Sequence, residues 1–336
     1  MIWLTWRQHR IEGLISLGVL AVLGVFLLIT GLNMYHDFLQ SGLSACLAHN
    51  TDGALRTVCG PLANAFGAQF QSLILVSAAP LLLPALLGVL VGGPLVAREF
   101  QQRTHLLVWI QSVTRTRWLA VKLALVLGAG AVAAGALLAL MIWWYGPFSQ
   151  LNGRFSPPAY DFEGPVLIGV TVMALALGIA AGTVTRRTVP AILLTFALLL
   201  AVRYTVELGG LRANFEPPIV VTWPLAQGLG SGPPVTLSMQ DWVIDGGFID
   251  AQGHITNNLN CSGGSSVSNA QTPPATPPAP LNPLQCAQAQ GYRAFGLSYQ
   301  PADRFWTFQW IETGIYLAIS LLALGVTVWW VRRRLV

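Results

Sequence analysis

Seven charged or imidazole side chains fall within VAREFQQRTHLLVWIQSVTRTRWLAVK, residues 96–122: Arg98, Glu99, Arg103, His105, Arg115, Arg117 and Lys122. They do not form a phosphate loop, because Lys122 follows SVTRTRWLAV and not the glycines that cradle a nucleotide. Neither G-x-S-x-G nor H-E-x-x-H occurs, and His9, His36, His49, His105 and His254 are scattered. Without a Cys-x-x-Cys, zinc or redox chemistry has little support. No catalytic group, metal site or cofactor is expected in the chain itself. The charged stretch must be explained by the elements on either side of it.

Those elements are apolar. Of 336 residues, 54% are hydrophobic and 9% charged, against about 25% charged in soluble domains. Mean hydropathy is +0.60. A spanning helix needs ~20 mostly apolar residues, and six runs qualify, at roughly 13–32, 72–97, 119–145, 164–185, 189–206 and 310–331. Backbone amides in hydrocarbon must be satisfied within their own segment, so the expected fold is an all-α, six-helix integral membrane protein. The first run is too long for a cleaved signal and is read as an uncleaved helix.

Charge sets the orientation. With both termini cytoplasmic, the inner segments hold twelve basic residues and two acids, Glu12 and Glu99, while the outer ones hold six basic residues and eleven acids. That asymmetry follows the positive-inside rule. The Arg332–Arg334 triplet is then an orientation anchor rather than a nucleic-acid site. Cys46 and Cys59 share the first outer loop, and Cys261 and Cys286 the last. Disulfides within each loop are expected in that compartment, although spacing alone leaves connectivity open.

The domain plan is residues 1–206 with a cytoplasmic loop at 98–118, an outer loop of mixed β and irregular structure at 207–309, and a last helix with a basic tail at 310–336. In the outer loop, TLSMQDWVIDGGFIDAQGHIT reads as short strands around a turn at Gly246-Gly247. The Pro- and Ser-rich stretch after it cannot form a packed core. No Asp or Glu is expected deep within a span, and Arg203 is read as a snorkelling partner of Glu207. Gly88 and Gly92, Ala131 and Gly135, and Gly178 and Gly182 are small residues four apart, suited to close helix contacts. Pro80, Pro84 and Pro94 should kink the second span. Between spans two and three, Arg98 to Gln111 reads as a short interfacial helix, followed by a turn and N-cap at Ser112 to Thr114.

Arg98-Glu-Phe-Gln-Gln-Arg-Thr104, Gln111-Ser-Val-Thr-Arg-Thr-Arg-Trp118 and Lys122 resemble the first cytoplasmic loop of type 2 ABC exporter permeases, of the type V fold. The segments MIWLTWRQHR and YQPADRFWTFQWIE resemble a bacterial, actinobacterial-like branch. Arg103 stands where many relatives have glycine. The resemblance implies a plasma-membrane permease subunit, dimeric with itself or a homologue. A separate ABC ATPase, binding ATP and Mg, would seat the 98–111 helix, with Glu99, Arg103, Thr104, Gln111 and Arg115 as coupling residues. Glu99, the one acid among the inner connecting loops, is the natural contact for that partner. The cargo would be a lipophilic or amphipathic small molecule, peptide or lipid moved outward, with its binding residues unassigned. A membrane sensor or scaffold using the outer loop as receptor is the alternative.

Overall fold

The computed structural model describes residues 2–49, 58–76, 82–102, 114–225, 233–238, 240–250, 252–257 and 283–333. The chain divides into two compact units, Met1–Phe215 with Asp303–Val336, and Glu216–Ala302.

Helices make up the first unit. They are α1 (Ile2–Gln40), α2 (Leu43–His49), α3 (Gly60–Gln69), α4 (Gln71–Val76), α5 (Leu82–Leu86), a π turn (Leu87–Gly92) and α6 (Gly93–Gln101). Then follow α7 (Arg115–Asn152), α8 (Ala159–Phe162), α9 (Val166–Thr185), α10 (Thr188–Glu207), α11 (Pro283–Ala289, in the second unit) and α12 (Phe305–Arg333). Among the described residues, six stretches are long and apolar enough to cross a membrane: Ala21–Gln40, Leu82–Gln101, Thr116–Asn152, Val166–Thr185, Thr188–Glu207 and Ala302–Arg333. Each expected run has its helix, but the boundaries move. In the second, Gln71–Val76 and Leu82–Leu86 are both helical, and residues 77–81 lie outside the described residues. At 38 residues, α7 is about 57 Å long, well beyond a hydrocarbon core of ~30 Å.

The centre of the bundle is α9, buried through most of its length. A helix apolar all round belongs inside, and α5–α6, α7, α10 and α12 all pack against it. Two of the small-residue pairs meet each other here. A Cβ on Gly88 would lie 2.6 Å from the Ala174 carbonyl oxygen, and one on Gly92 2.8 Å from that of Leu175. Reciprocally, side chains at Gly178 and Gly182 would strike the backbone of Gly88 and Gly93. The glycines thus serve contact between two spans of one chain. Around them the second span departs from regular α-helix. Pro94 has no N–H to give one turn back, and the π turn fills the interval between the buried Pro84 and Pro94. Pro80 lies outside the described residues.

At the other end of α7, Met34, Phe38, Phe66, Trp144, Phe148 and Phe162 form an apolar cluster joining α1, α3, α7 and α8. Phe66 packs on Phe38 and Phe148 with ring centroids 5.7 and 5.6 Å apart. Beside it Cys46 is bonded to Cys59, Cα–Cα 5.9 Å. Cys286 is also disulfide-bonded, and Cys261 lies outside the described residues.

The second unit is a four-stranded antiparallel sheet in the order β1-β4-β2-β3, formed by β1 (Ile219–Pro224), β2 (Trp242–Ile249), β3 (Ile255–Thr256) and β4 (Ala294–Gln300). Phe248 pairs with Phe295 across β2 and β4. Both join Leu225 and Ala287 of α11 in a small core. The turn expected at Gly246-Gly247 is elsewhere: both glycines lie inside β2. A side chain on Gly247 would collide with the Thr256 backbone, so that glycine admits a neighbouring strand. The reversal is made at Asp250, whose Oδ1 accepts from the N–H groups of Gln252 (2.9 Å) and His254 (2.8 Å), with Gly253 at φ +88°. The His254 N–H bond holds the Asp250 carboxyl below its ordinary range. The Pro- and Ser-rich stretch at 258–282 lies outside the described residues.

Candidate functional site

Two polar assemblies are built into the helical unit. One stands where the end of α6 meets the start of α7. Glu99, near the end of α6, pairs its carboxylate with the ammonium of Lys122, one full turn inside α7 from Trp118. Lys122 is 3% exposed, and its Nζ sits 5.0 Å from the Trp118 ring centre, a cation–π contact. Leu95, Val96, Phe100, Trp118, Leu119, Ile179 and Val331 enclose the pair's surroundings in an apolar cluster drawn from four helices. Thr114 caps α7, accepting from the Arg117 N–H at 3.4 Å. Arg115 opens that helix and Arg117 follows in its first turn, without an acid. Cations there run against the helix dipole. Nearby, the Thr188 hydroxyl of α10 donates to Gln101 Oε1 at 3.0 Å, tying a third helix to the same place. Of the residues expected to couple to a partner, Glu99 is drawn to its own chain and Arg115 begins α7. Arg103, Thr104 and Gln111 lie outside the described residues.

The other assembly was not expected. Arg212, in the 3-10 turn Arg212–Asn214, forks onto Glu312 with Nε and Nη2 at 2.7 and 2.8 Å. Arg203 of α10 forks onto Asp161 of α8 at 3.3 and 3.0 Å, and also pairs with Glu207. Cross-links join the forks: Arg212 Nη2 lies 3.5 Å from both Asp161 and Glu207. Tyr316 OH donates to Glu312 Oε1 at 2.7 Å. The Arg212 guanidinium lies 4.1 Å from the Tyr160 ring centre. Glu312 is fully buried, with Asp161 at 6% and Arg212 at 8% exposure. Burial of this kind is tolerated only when each charge is paired and hydrogen-bonded. Arg203 is therefore no snorkelling partner of Glu207 alone, and Glu312 is an acid held well inside its helix.

Burial, followed by the Glu312 charge, pushes the Tyr160 hydroxyl up. Burial works most strongly against the Arg212 charge, but the hydrogen bond to Glu312 and the neighbouring charges of Asp161 and Glu312 together outweigh it and keep the guanidinium protonated. Asp161, Glu207 and Glu312 bring oxygens within 4.8 Å of one another. Two guanidiniums already fill that space, so the arrangement is a salt-bridge network and no evident cation site. Beneath it, fully buried Gln309 accepts from Val166 N (3.3 Å) and donates to Tyr160 O (2.6 Å), closing the first turn of α9. A signal for this assembly did exist. Gln309, Glu312, Thr313, Tyr316, Ser320 and Thr327 recur at helical spacing in an apolar span, and all are buried.

Six apolar helices with buried ionic side chains between them define a multi-pass membrane protein. Residues 17–209, more than half of the chain, match the family model ABC-2 membrane transporter related. The chain belongs to that family, whose domains are membrane permease components of ABC transporters and work with an ABC ATPase. The matched region holds the first five spans and the Glu99–Lys122 pair. Nothing matches the chain among curated proteins or among solved structures.

Proposed function

We propose that this chain is the membrane-spanning subunit of an ATP-driven exporter, moving a lipophilic or amphipathic compound outward with a separate ATPase. Membership of the ABC-2 family carries the reading. The charged link between spans two and three, rooted in the tight inner cluster around α6, supports it as the element that meets the ATPase. In this reading both termini and residues 98–118 are cytoplasmic, the Glu216–Ala302 unit is outside, and the subunit works as a dimer in the plasma membrane. ATP and Mg belong to the partner. The twelve-to-two excess of basic over acidic residues in the inner segments supports the orientation.

The test is transport. Cells with and without the gene are compared across a panel of lipophilic and amphipathic compounds, and the tagged chain is isolated with its membrane partners. Export that requires the chain and a co-purifying ABC ATPase is expected. An intact, correctly inserted chain that never associates with an ATPase would overturn the reading. It would favour a sensor or scaffold, to which the separately folded Glu216–Ala302 unit would be suited as a receptor.

A further inference from the structure

A lysine buried to 3% exposure among Leu95, Val96, Phe100, Trp118 and Leu119 is a costly choice for stability alone. Methionine or leucine at both positions would fill the same space without removing two charges from water, and replacing a whole buried pair in this way is often neutral or stabilising. What an ion pair adds in an apolar setting is register. Sliding α6 along α7 by one turn, about 5.4 Å, would part the buried Lys122 ammonium from the Glu99 carboxylate. An apolar pair would tolerate the same slip far better. The position of the pair matters as well. Glu99 lies three residues before Gln102 and Lys122 eight after Thr114, and these two residues are the described ends of the charged link. The Lys122 ammonium is tied to α7 through Trp118, and Phe100 and Val331 bring α6 and α12 into the same cluster.

From this we infer that Glu99 and Lys122 are positioning residues: their pairing sets the register of α6 against α7, and so holds the two ends of the link where the ATPase reads them. The inference rests on the permease reading and assigns Glu99 a different part in it. Glu99 acts through Lys122 and not by touching the partner. The two assignments separate cleanly. A docking contact at Glu99 makes Glu99→Gln harmful to partner binding, with Lys122→Gln, buried inside the chain, doing little. A register pair makes the two substitutions equivalent and leaves binding in place.

The experiment uses the full-length chain in lipid nanodiscs with spin labels at Gln102→Cys and Thr116→Cys, both exposed positions. The described cysteines are all disulfide-bonded, so a thiol-directed label reports the new sites. Diluted with unlabelled chain so that each assembly carries one labelled copy, the parent should give one narrow distance. Glu99→Gln and Lys122→Gln should each broaden it to the same degree, whereas Lys122→Arg and the exchange Glu99→Lys with Lys122→Glu should keep or restore it. In the complex with the co-purified ATPase, the two neutralised variants should lower ATP hydrolysis by about tenfold at unchanged ATPase per permease. The conservative variants should recover it. A merely structural pair would lower the yield of folded protein but would leave the distance in the surviving protein and its hydrolysis unchanged. The inference is overturned by an unchanged distance in Lys122→Gln, or by loss of ATPase capture in Glu99→Gln alone. A parent that captures no ATPase counts against the permease reading instead, and the distances still decide the register.

Discussion

At the scale of single residues, the chain's energetic weak points are its buried charges. Arg212→Met would leave Glu312 without its fork in a fully buried position. Breaking a buried pair from one side costs about 3–5 kcal/mol. Replacing both, Arg212→Met with Glu312→Met, should cost much less than the two single changes summed, and that shortfall, measured by thermal unfolding in detergent, is their coupling. A loss in the double variant equal to the sum of the two single losses would show that the fork contributes nothing. Glu163 makes a second case. It lies in the turn between α8 and α9, with Arg154 Nε at 3.1 Å. Burial raises its carboxyl above the ordinary 4.5, against a hydrogen bond with Ser149 and the Arg154 charge. A carboxyl raised by folding holds its proton more tightly in the folded chain. Its contribution is fully present below 4.5 and is lost as pH rises through the folded value. Glu163→Gln should therefore match the parent in acid and gain melting temperature over it as pH rises toward neutral. Parallel melting curves across that range would contradict the assignment.

At the scale of elements, the packing of the second span on α9 is backbone against backbone. Gly178→Val would drive a side chain into the Gly88 carbonyl and the Gly93 N–H. Overpacking of this sort costs about 1–3 kcal/mol, seen as a lower yield of monodisperse protein after extraction. Gly128→Ala, with open space around it, is the matched control and should be silent. These contacts were legible as glycines four apart, because a small-residue stripe has few other uses inside an apolar helix. That Gly88 and Gly92 would meet Gly178 and Gly182 was not, since spacing names a face and no partner. The turn of the four-stranded sheet was misplaced for a related reason. Gly-Gly is a strong local signal for reversal, but Gly247 is there to let Thr256 approach. Asp250 reverses the chain with its side chain instead.

At the scale of the whole molecule, the family and the missing nucleotide motifs make one plain prediction. The purified chain alone should neither bind nor hydrolyse ATP, and activity should appear only with an ATPase. Robust turnover by the isolated polypeptide would contradict the proposed division of labour. The disulfide-bonded Cys286 invites a second check, peptide mapping of unreduced protein, with Cys261 as the expected partner. A peptide linking Cys286 to Cys46 or Cys59 would contradict both that expectation and the bond between those two.

The amino-acid sequence by itself determined the six apolar spans, the asymmetry of charge between their two sets of loops, and the presence of a charged link after the second span. These depend on transfer free energies that add up along a local window, and such sums need no coordinates. Beyond Arg203 with Glu207 one turn on, only the tertiary structure decided which charges answer one another. Arg212 and Glu312 stand 100 residues apart, Arg203 and Asp161 42 apart, and Lys122 and Glu99 23 apart. Their interaction falls off with distance in space and grows with the exclusion of water, and neither quantity is written in the order of residues along the chain.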